Sequence, residues 1–160
     1  MPNDPGERRT GLRELSVALF EALRGGSLDR AIAPRSEVDQ LVAPEMRFRI
    51  ERERAGRFDP GLLETFRRDW AGATFAGFCA QGARDEAAER GLGLVRPGWV
   101  LDRVLVVANV GEGRSASWLE GRFVYTARGW RTLSLTRIEE PRRHHSDLEL
   151  APCDVESGLH

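Results

Sequence analysis

The sequence predicts an α+β domain in which N-terminal helices pack on a curved antiparallel β-sheet, with the helices on one side. Helix signals occupy the first half of the chain, where leucines recur at helical spacing from Leu12 to Leu23. Residues 99–140 read as three long strands in succession. Two glycine-containing turns, at residues 111–113 and 128–129, separate those strands. Helices followed by a run of strands are typical of the α+β class.

The N-terminal elements are predicted from caps and breakers. The first helix begins after Asp4, which is suited to cap it. Pro5 takes the first helical position, and the helix ends at Gly25. A short second helix is predicted over residues 27–33. A third brief helical turn opens at Ser36.

The spacing of apolar residues changes in the middle of the chain. Apolar and charged residues alternate over residues 46–50, which predicts a half-buried strand. A further helix then starts at Asp59. Residues 71–97 are predicted to be a helix and loops, with a polar surface helix at residues 84–90. Residues 75–78 fit a strand or a helix equally well.

The strands are interpreted by parity, because alternate side chains of a strand point to opposite faces. Gly121, in the middle of the second strand, predicts a bulge that curves the sheet. Even positions of this strand carry Trp118 and Arg122 among polar neighbours, which indicates an outer face. The odd positions predicted to meet the helices are Leu119, Phe123, Tyr125, Leu133 and Leu135.

Length and composition favour one globular domain over residues 1–140, followed by a polar, mobile tail at residues 141–160. The formal net charge of −1 gives no field that would attract nucleic acid or an anionic membrane. No apolar run approaches the roughly 20 residues that a membrane span needs. Cys79 and Cys153 form no CxxC pair, and no signal peptide is evident. We therefore expect a reduced, cytoplasmic protein without nucleic-acid or membrane partners.

The residue types present exclude some chemistry. All 24 cationic residues are arginines, so neither a lysine Schiff base nor a lysine general base is available. The three histidines, His144, His145 and His160, follow the last predicted strand, which makes a histidine-based triad inside the fold improbable. The tail residues His144, His145, Asp147 and Cys153 could bind a metal, but they lack the fixed spacing of metal ligands. We expect no metal and no cofactor.

Two segments resemble a known superfamily. Residues 18–29 (ALFEALRGGSLD) look like a helix, glycine turn and second helix start, and residues 129–135 (GWRTLSL) look like a last strand, of the NTF2-like α+β cone. That superfamily includes ketosteroid isomerase and the SnoaL-like polyketide cyclases. The resemblance implies a conical cavity between sheet and helices, and often a homodimer formed through the outer face of the sheet. No residue here matches the family's catalytic positions.

Arg103, Tyr125 and Arg131 share odd parity and are the candidate ligand pocket. A guanidinium beside a phenol can bind an anionic or carbonyl-bearing ligand. The alternative for Arg103 is a pair with an acid at the core edge, or a side chain that reaches solvent at the end of the sheet. Asp102, which has the opposite parity, is a candidate general base if it is desolvated, with Tyr125 as a second acid–base candidate. The alternative for Asp102 is a paired acid near a strand end.

Trp118 and Arg122 are the candidate interface residues, since a large aromatic on an outer sheet face is a plausible anchor for a homodimer. Coverage of Trp118 by the tail is the alternative. Residues 47–57 carry five arginines and suggest a nucleic-acid patch. Glu51 and Glu53 neutralise that run locally, so a solvated strand edge with ion pairs is favoured.

The leading prediction is a non-catalytic small-molecule-binding or protein-interaction module of NTF2-like type. Its expected partners are a small hydrophobic ligand, a second copy of the chain, or another protein. The first alternative is an isomerase, cyclase or hydratase that acts by proton transfer on a hydrophobic carbonyl compound. The second alternative is an accessory subunit of a larger assembly.

Overall fold

A computed structural model describes residues 5–56, 58–81, 84–86, 94 and 98–144. Helices come first along the chain and strands follow, so the predicted α+β class is confirmed. Among the described helices, none has both the length and the apolar character needed to cross a membrane. The elements are α1 (Pro5–Gly25), α2 (Arg35–Leu41), α3 (Pro44–Ala55), α4 (Pro60–Asp69), β1 (Thr74–Gln81), β2 (Arg84–Glu86), β3 (Gly98–Val110), β4 (Gly113–Thr126), β5 (Gly129–Ile138) and β6 (Arg142–His144).

The sheet is antiparallel, with its long strands in the order β1-β3-β4-β5. The short β2 pairs with the start of β3, and β6, within the segment predicted to be a tail, pairs with the start of β4. Both predicted turns are confirmed. Gly111 and Gly129 have φ values of 59° and 94°, in the left-handed region that glycine enters without strain.

The main core lies between one face of the sheet and helices α1 and α4. The leucine stripe of α1 is buried there, as its helical spacing predicts. Asp59 caps α4 by accepting a hydrogen bond from the Gly61 amide at 2.9 Å. Trp70, at the end of α4, donates from Nε1 to Ser115 Oγ at 3.0 Å and so ties that helix to β4. The largest fully buried side chains of this core are Leu12, Leu19, Phe20, Leu23, Phe66, Trp70, Phe78, Leu101, Leu119 and Phe123.

A second, smaller core lies on the opposite face of the sheet, beneath α2 and α3. After α1 the chain runs along β5, where the Ala33 amide donates to the Thr132 carbonyl at 2.8 Å. It then crosses to the other face. Helices therefore cover both faces, whereas the sequence suggested one. This core contains Ala33, Val38, Val42, Ile50, Leu94, Val100, Val124 and Leu133.

Two irregularities in the β4–β5 pairing interrupt the parity of the strands. The first, at Gly121, confirms the predicted bulge, since a Cβ there would collide with the carbonyl oxygen of Ser134. The second places Leu133 in the core under α2 and α3. Leu135 lies in the main core. The single apolar stripe predicted for these two leucines is therefore wrong.

Three local predictions are also wrong. Residues 46–50 lie inside α3, because Met46 and Ile50 also have helical spacing and the arginines and glutamates around them favour helix. Residues 27–33 form turns, with Ile32 bridged to Thr132, so the predicted second helix is absent from this described segment. Arg84–Glu86 is a strand, whereas a helix was predicted; residues 87–93 lie outside the described part of the chain. Residues 75–78 belong to β1.

Cys79, on β1, is disulfide-bonded. The reduced state expected from the sequence is therefore not observed. Cys153, the only other cysteine of the chain, lies outside the described residues.

Candidate functional site

A cleft of about 520 Å³ opens between α2 and α3. Its floor is apolar, since Val38 and Ile50 are almost fully buried. Its walls are charged, with three arginines and two acids. The lining residues are Arg35, Val38, Asp39, Arg47, Ile50, Glu51, Arg54 and Ala55.

Helical periodicity places these side chains in the cleft. Arg47, Ile50, Glu51 and Arg54 are spaced by three, four and seven residues, so they share one face of α3. The connection from α2 is short, because Val42 is extended and Pro44 starts α3 at its first turn. The two helices consequently present their charged faces to each other.

Two of the three arginines in the cleft already have partners. Arg47 caps the C-terminal end of α2, where Nε donates to the Val42 carbonyl at 3.2 Å and Nη2 donates to the Asp39 carbonyl. Arg35 forms an ion pair with Glu51 at 2.7 Å, and both side chains are exposed. These contacts hold the two helices together and define the walls of the cleft.

Arg54 differs from its neighbours. Its Nη1 is buried, and no described residue accepts a hydrogen bond from it. A buried charged donor without an acceptor is unfavourable by about 1–3 kcal/mol or more. Carboxylate or phosphate oxygens are the acceptors that a guanidinium binds best, through two parallel hydrogen bonds. The cleft therefore has the chemistry of an anion-binding site with an apolar floor.

A second, more open groove of about 750 Å³ lies on the other side of α3, against β4. The Glu53 carboxylate accepts from Arg122 Nε and Nη2 at 2.8 and 2.9 Å, and from Ser134 Oγ at 2.7 Å. Phe48 stands in this groove with 67% of its surface exposed. Arg49 and Arg52 flank it, and the Arg52 guanidinium lies 5.8 Å from the ring centroid of Phe48.

The ion pair fixes the charge of Glu53. Burial alone would raise the pKa of this carboxyl. Hydrogen bonds from Arg122 and Ser134, together with the charges of Arg122 and Arg49, outweigh burial and hold the pKa below its ordinary value. Glu53 is therefore an ionised anchor between α3 and the sheet.

The three residues predicted for a ligand pocket are not brought together. Arg103 lies 4.3 Å from the Trp118 ring centroid, and its Nε is 3.1 Å from Glu120 Oε1, an ion pair without hydrogen-bond geometry. Arg131 forms two hydrogen bonds of 2.8 Å with Glu37 of α2. Tyr125 packs at the main core, on the opposite face, 5.3 Å from the Trp130 ring. Bulges in the sheet break the parity that suggested a shared face.

The remaining residues predicted for a functional site lie elsewhere on the sheet. Asp102 is exposed at the irregularity between Leu101 and Arg103, so the desolvation expected for a general base is not present. Trp118 is half-buried beneath Arg103, on the face opposite the main core. Arg122 shares that face but is held by Glu53. Among the described residues there is no group of three side chains able to hold a metal ion.

The sequence interpretation missed Arg35 and Arg54. The signal for Arg54 was present in the helical spacing of residues 47, 50, 51 and 54, whereas no pattern in the sequence marked Arg35. Interpretation of residues 46–50 as a strand concealed it.

Comparisons with known proteins found no match: no protein-family model, no curated protein and no solved structure is similar to this chain.

Proposed function

We propose that this protein is a non-catalytic binding module of NTF2-like type that holds a small anionic ligand between α2 and α3. The observation that carries the proposal is the buried Nη1 of Arg54, which has no acceptor within the described part of the chain. An anionic group bound in the cleft would supply that acceptor once the Arg54 side chain turned toward it, because Nη1 is closed to solvent in this conformation. The ion pairs of Arg35 and Arg47 with acids leave Arg54 as the cation available to a ligand.

The cleft favours a ligand with one anionic headgroup and a short apolar body. Its volume of about 520 Å³ is within the usual range for small-molecule sites. Val38 and Ile50 form an apolar floor that is itself already almost fully buried, so the gain comes from the ligand's own apolar surface leaving water there. A fully polar ligand would leave that floor unused, and a neutral acceptor would give Arg54 a weaker hydrogen bond without balancing its charge.

Binding is tested with octanoate and octyl phosphate as probes, and with 1-octanol as the uncharged control. We expect at least one anionic probe to raise the melting temperature and to give a saturable titration by calorimetry, because binding to the folded state stabilises it. The Arg54→Leu variant should lose about tenfold in affinity or more, equivalent to about 1.4 kcal/mol. The control variant Arg68→Leu removes an exposed arginine of α4 and should bind as the parent does.

The stability of Arg54→Leu shows whether a loss of binding comes from the missing guanidinium or from loss of the fold. Because Arg54 Nη1 has no described acceptor, Arg54→Leu should unfold at the same urea concentration as the parent or a higher one. If neither probe shifts the parent, or if Arg54→Leu binds as well as the parent, the proposal is wrong.

We also propose that two copies pair through the part of the outer sheet face that α2 and α3 leave uncovered. Trp118 lies there beside Leu105, and both side chains are partly exposed, whereas Val107 and Ala116, two residues further along the strands, are already buried. An aromatic with apolar neighbours suits the centre of a homodimer interface. Trp118→Glu should convert a dimer into a monomer, and light scattering measures the mass. An unchanged mass would refute this pairing.

Binding is favoured over proton transfer by the positions of the acid–base candidates. Asp102 is exposed, and Tyr125 lies against Trp130 on the main-core face. Neither residue lines the cleft between α2 and α3.

A further inference from the structure

We propose that the solvent-facing side of α3 is a docking surface for an acidic protein segment that carries an apolar anchor. The surface consists of Phe48, Arg49 and Arg52, with the Glu53–Arg122 pair along its edge. It lies on the other side of α3 from the anion cleft, and it needs no ligand in that cleft.

Phe48 is the apolar centre of this surface. It is the large hydrophobic side chain that is exposed in the described part of the protein, at 67%. Helical phase explains its exposure. Phe48 and Ile50 are two residues apart, so they lie on opposite sides of α3, and Ile50 is the one buried in the second core. Phe48 therefore contributes little to the fold, while aromatic and arginine side chains are the types enriched in interface centres.

The arginines beside Phe48 are available for a partner. Glu53, four residues after Arg49 on the same helix, is an acid of this groove, but its carboxylate is engaged by Arg122 and Ser134. Among the residues described, Arg49 and Arg52 form no ion pair or hydrogen bond. Arg52 lies over the Phe48 ring, and its planar guanidinium extends the flat surface that a partner would contact. Two arginines that have no ion pair or hydrogen bond among the described residues, beside an apolar centre, are complementary to a segment with carboxylates around a hydrophobic side chain.

The charge pattern favours an acidic protein segment over nucleic acid. A nucleic-acid strand presents a dense row of phosphates and needs a correspondingly long row of cations. Here Glu45 and Glu53 line the same groove, and Arg122 is already neutralised. The formal net charge of −1 adds no general attraction for a polyanion. The groove offers two cations and one ring, which suits a short segment.

The test measures binding of the full chain to a fluorescein-labelled synthetic peptide of repeated Asp-Glu-Leu-Phe, with labelled oligo(dT) as a second probe. We expect the peptide to bind and to weaken as salt rises, because exposed charges are screened. Phe48→Ala should weaken peptide binding by about tenfold. The double variant Arg49→Gln with Arg52→Gln should weaken binding and reduce its salt dependence. A matched pair on α4, Arg67→Gln with Arg68→Gln, should bind as the parent does.

The outcomes distinguish this surface from the anion cleft. Arg54→Leu should leave peptide binding unchanged, and Phe48→Ala should leave octanoate binding unchanged. The proposal is overturned if the peptide does not bind at millimolar concentration, or if Phe48→Ala binds it as well as the parent. It is also overturned if oligo(dT) binds through Phe48 and Arg52 more tightly than the peptide, which would make this a nucleic-acid surface. Phe48 is exposed, so its truncation should leave the fold intact.

Discussion

Replacing Glu53 with glutamine tests the contact that anchors α3 to the sheet. The carboxylate of Glu53 accepts two hydrogen bonds from Arg122 and one from Ser134. The side chains of this ion pair are only 19% and 26% exposed, so water replaces the lost contacts poorly. Glutamine keeps the size of the side chain, but it removes the charge and leaves one acceptor oxygen for donors that shared two.

We expect Glu53→Gln to lower the free energy of unfolding by about 2 kcal/mol at neutral pH. Hydrogen bonds to charged groups contribute about 1.5–3 kcal/mol each, and a donor of Arg122 left without an acceptor adds a penalty. Partial exposure of the pair places the expected loss in the lower part of that range.

The loss should depend on pH, because the pKa of Glu53 is lowered in the folded protein. Burial opposes ionisation, but the hydrogen bonds from Arg122 and Ser134 and the nearby arginine charges outweigh it. The unfolded chain therefore binds a proton at Glu53 more readily than the folded protein does. This contribution to stability is complete above the unfolded pKa of about 4.3, and it is lost as pH falls through the lower folded value. Glutamine does not titrate.

Urea unfolding followed by tryptophan fluorescence measures both effects between neutral pH and about pH 3. The control is Glu51→Gln, whose partner Arg35 is 73% exposed while Glu51 itself is 51% exposed; its expected loss is under about 0.5 kcal/mol. The reasoning is refuted if Glu53→Gln is no more destabilising than Glu51→Gln. It is also refuted if the gap between the parent and Glu53→Gln stays constant into acid.

Two further substitutions test local features of the fold. Gly121→Ala should destabilise the protein by about 1–3 kcal/mol or more, because the added methyl collides with the carbonyl of Ser134. Its control, Gly25→Ala, meets nothing within 4 Å and should be neutral or stabilising in urea unfolding. Asp59→Ala should cost about 1 kcal/mol, measured in the same way, because the Gly61 amide loses its cap; an unchanged midpoint would exclude the cap.

The elements with several independent signals were predictable from the sequence. Helix α1 has a leucine stripe and a glycine stop, and the strands β3, β4 and β5 are joined by glycine turns. Helix α3 was not predictable from three alternating apolar residues, because Met46, Phe48 and Ile50 satisfy period two while Met46 and Ile50 also satisfy a helix. The choice between a strand and a helix at this segment depends on the second core, where α3 buries Ile50 against the sheet.

The three residues of the candidate pocket lie apart for a related reason. Parity predicts a shared face only while strand pairing stays in register, and irregularities occur in both the β3–β4 and the β4–β5 pairings. Gly121 signalled one of them, but no residue in the sequence marks the irregularity beside Asp102. Arg103 instead pairs with Glu120, an acid on the neighbouring strand, which is the alternative that the sequence left open.

The charge of α3 shows most clearly why tertiary structure was needed. In the sequence, Glu51 and Glu53 neutralise the arginines around them, and that made a binding surface improbable. In the folded protein, Glu51 pairs with Arg35 of α2 and Glu53 pairs with Arg122 of β4. These two acids are thus compensated by arginines outside the helix, which leaves Arg49, Arg52 and Arg54 of α3 without an ion pair among the described residues. Arg54 then faces α2, while Arg49 and Arg52 face the groove against β4, so one helix supplies the cations of both proposed sites.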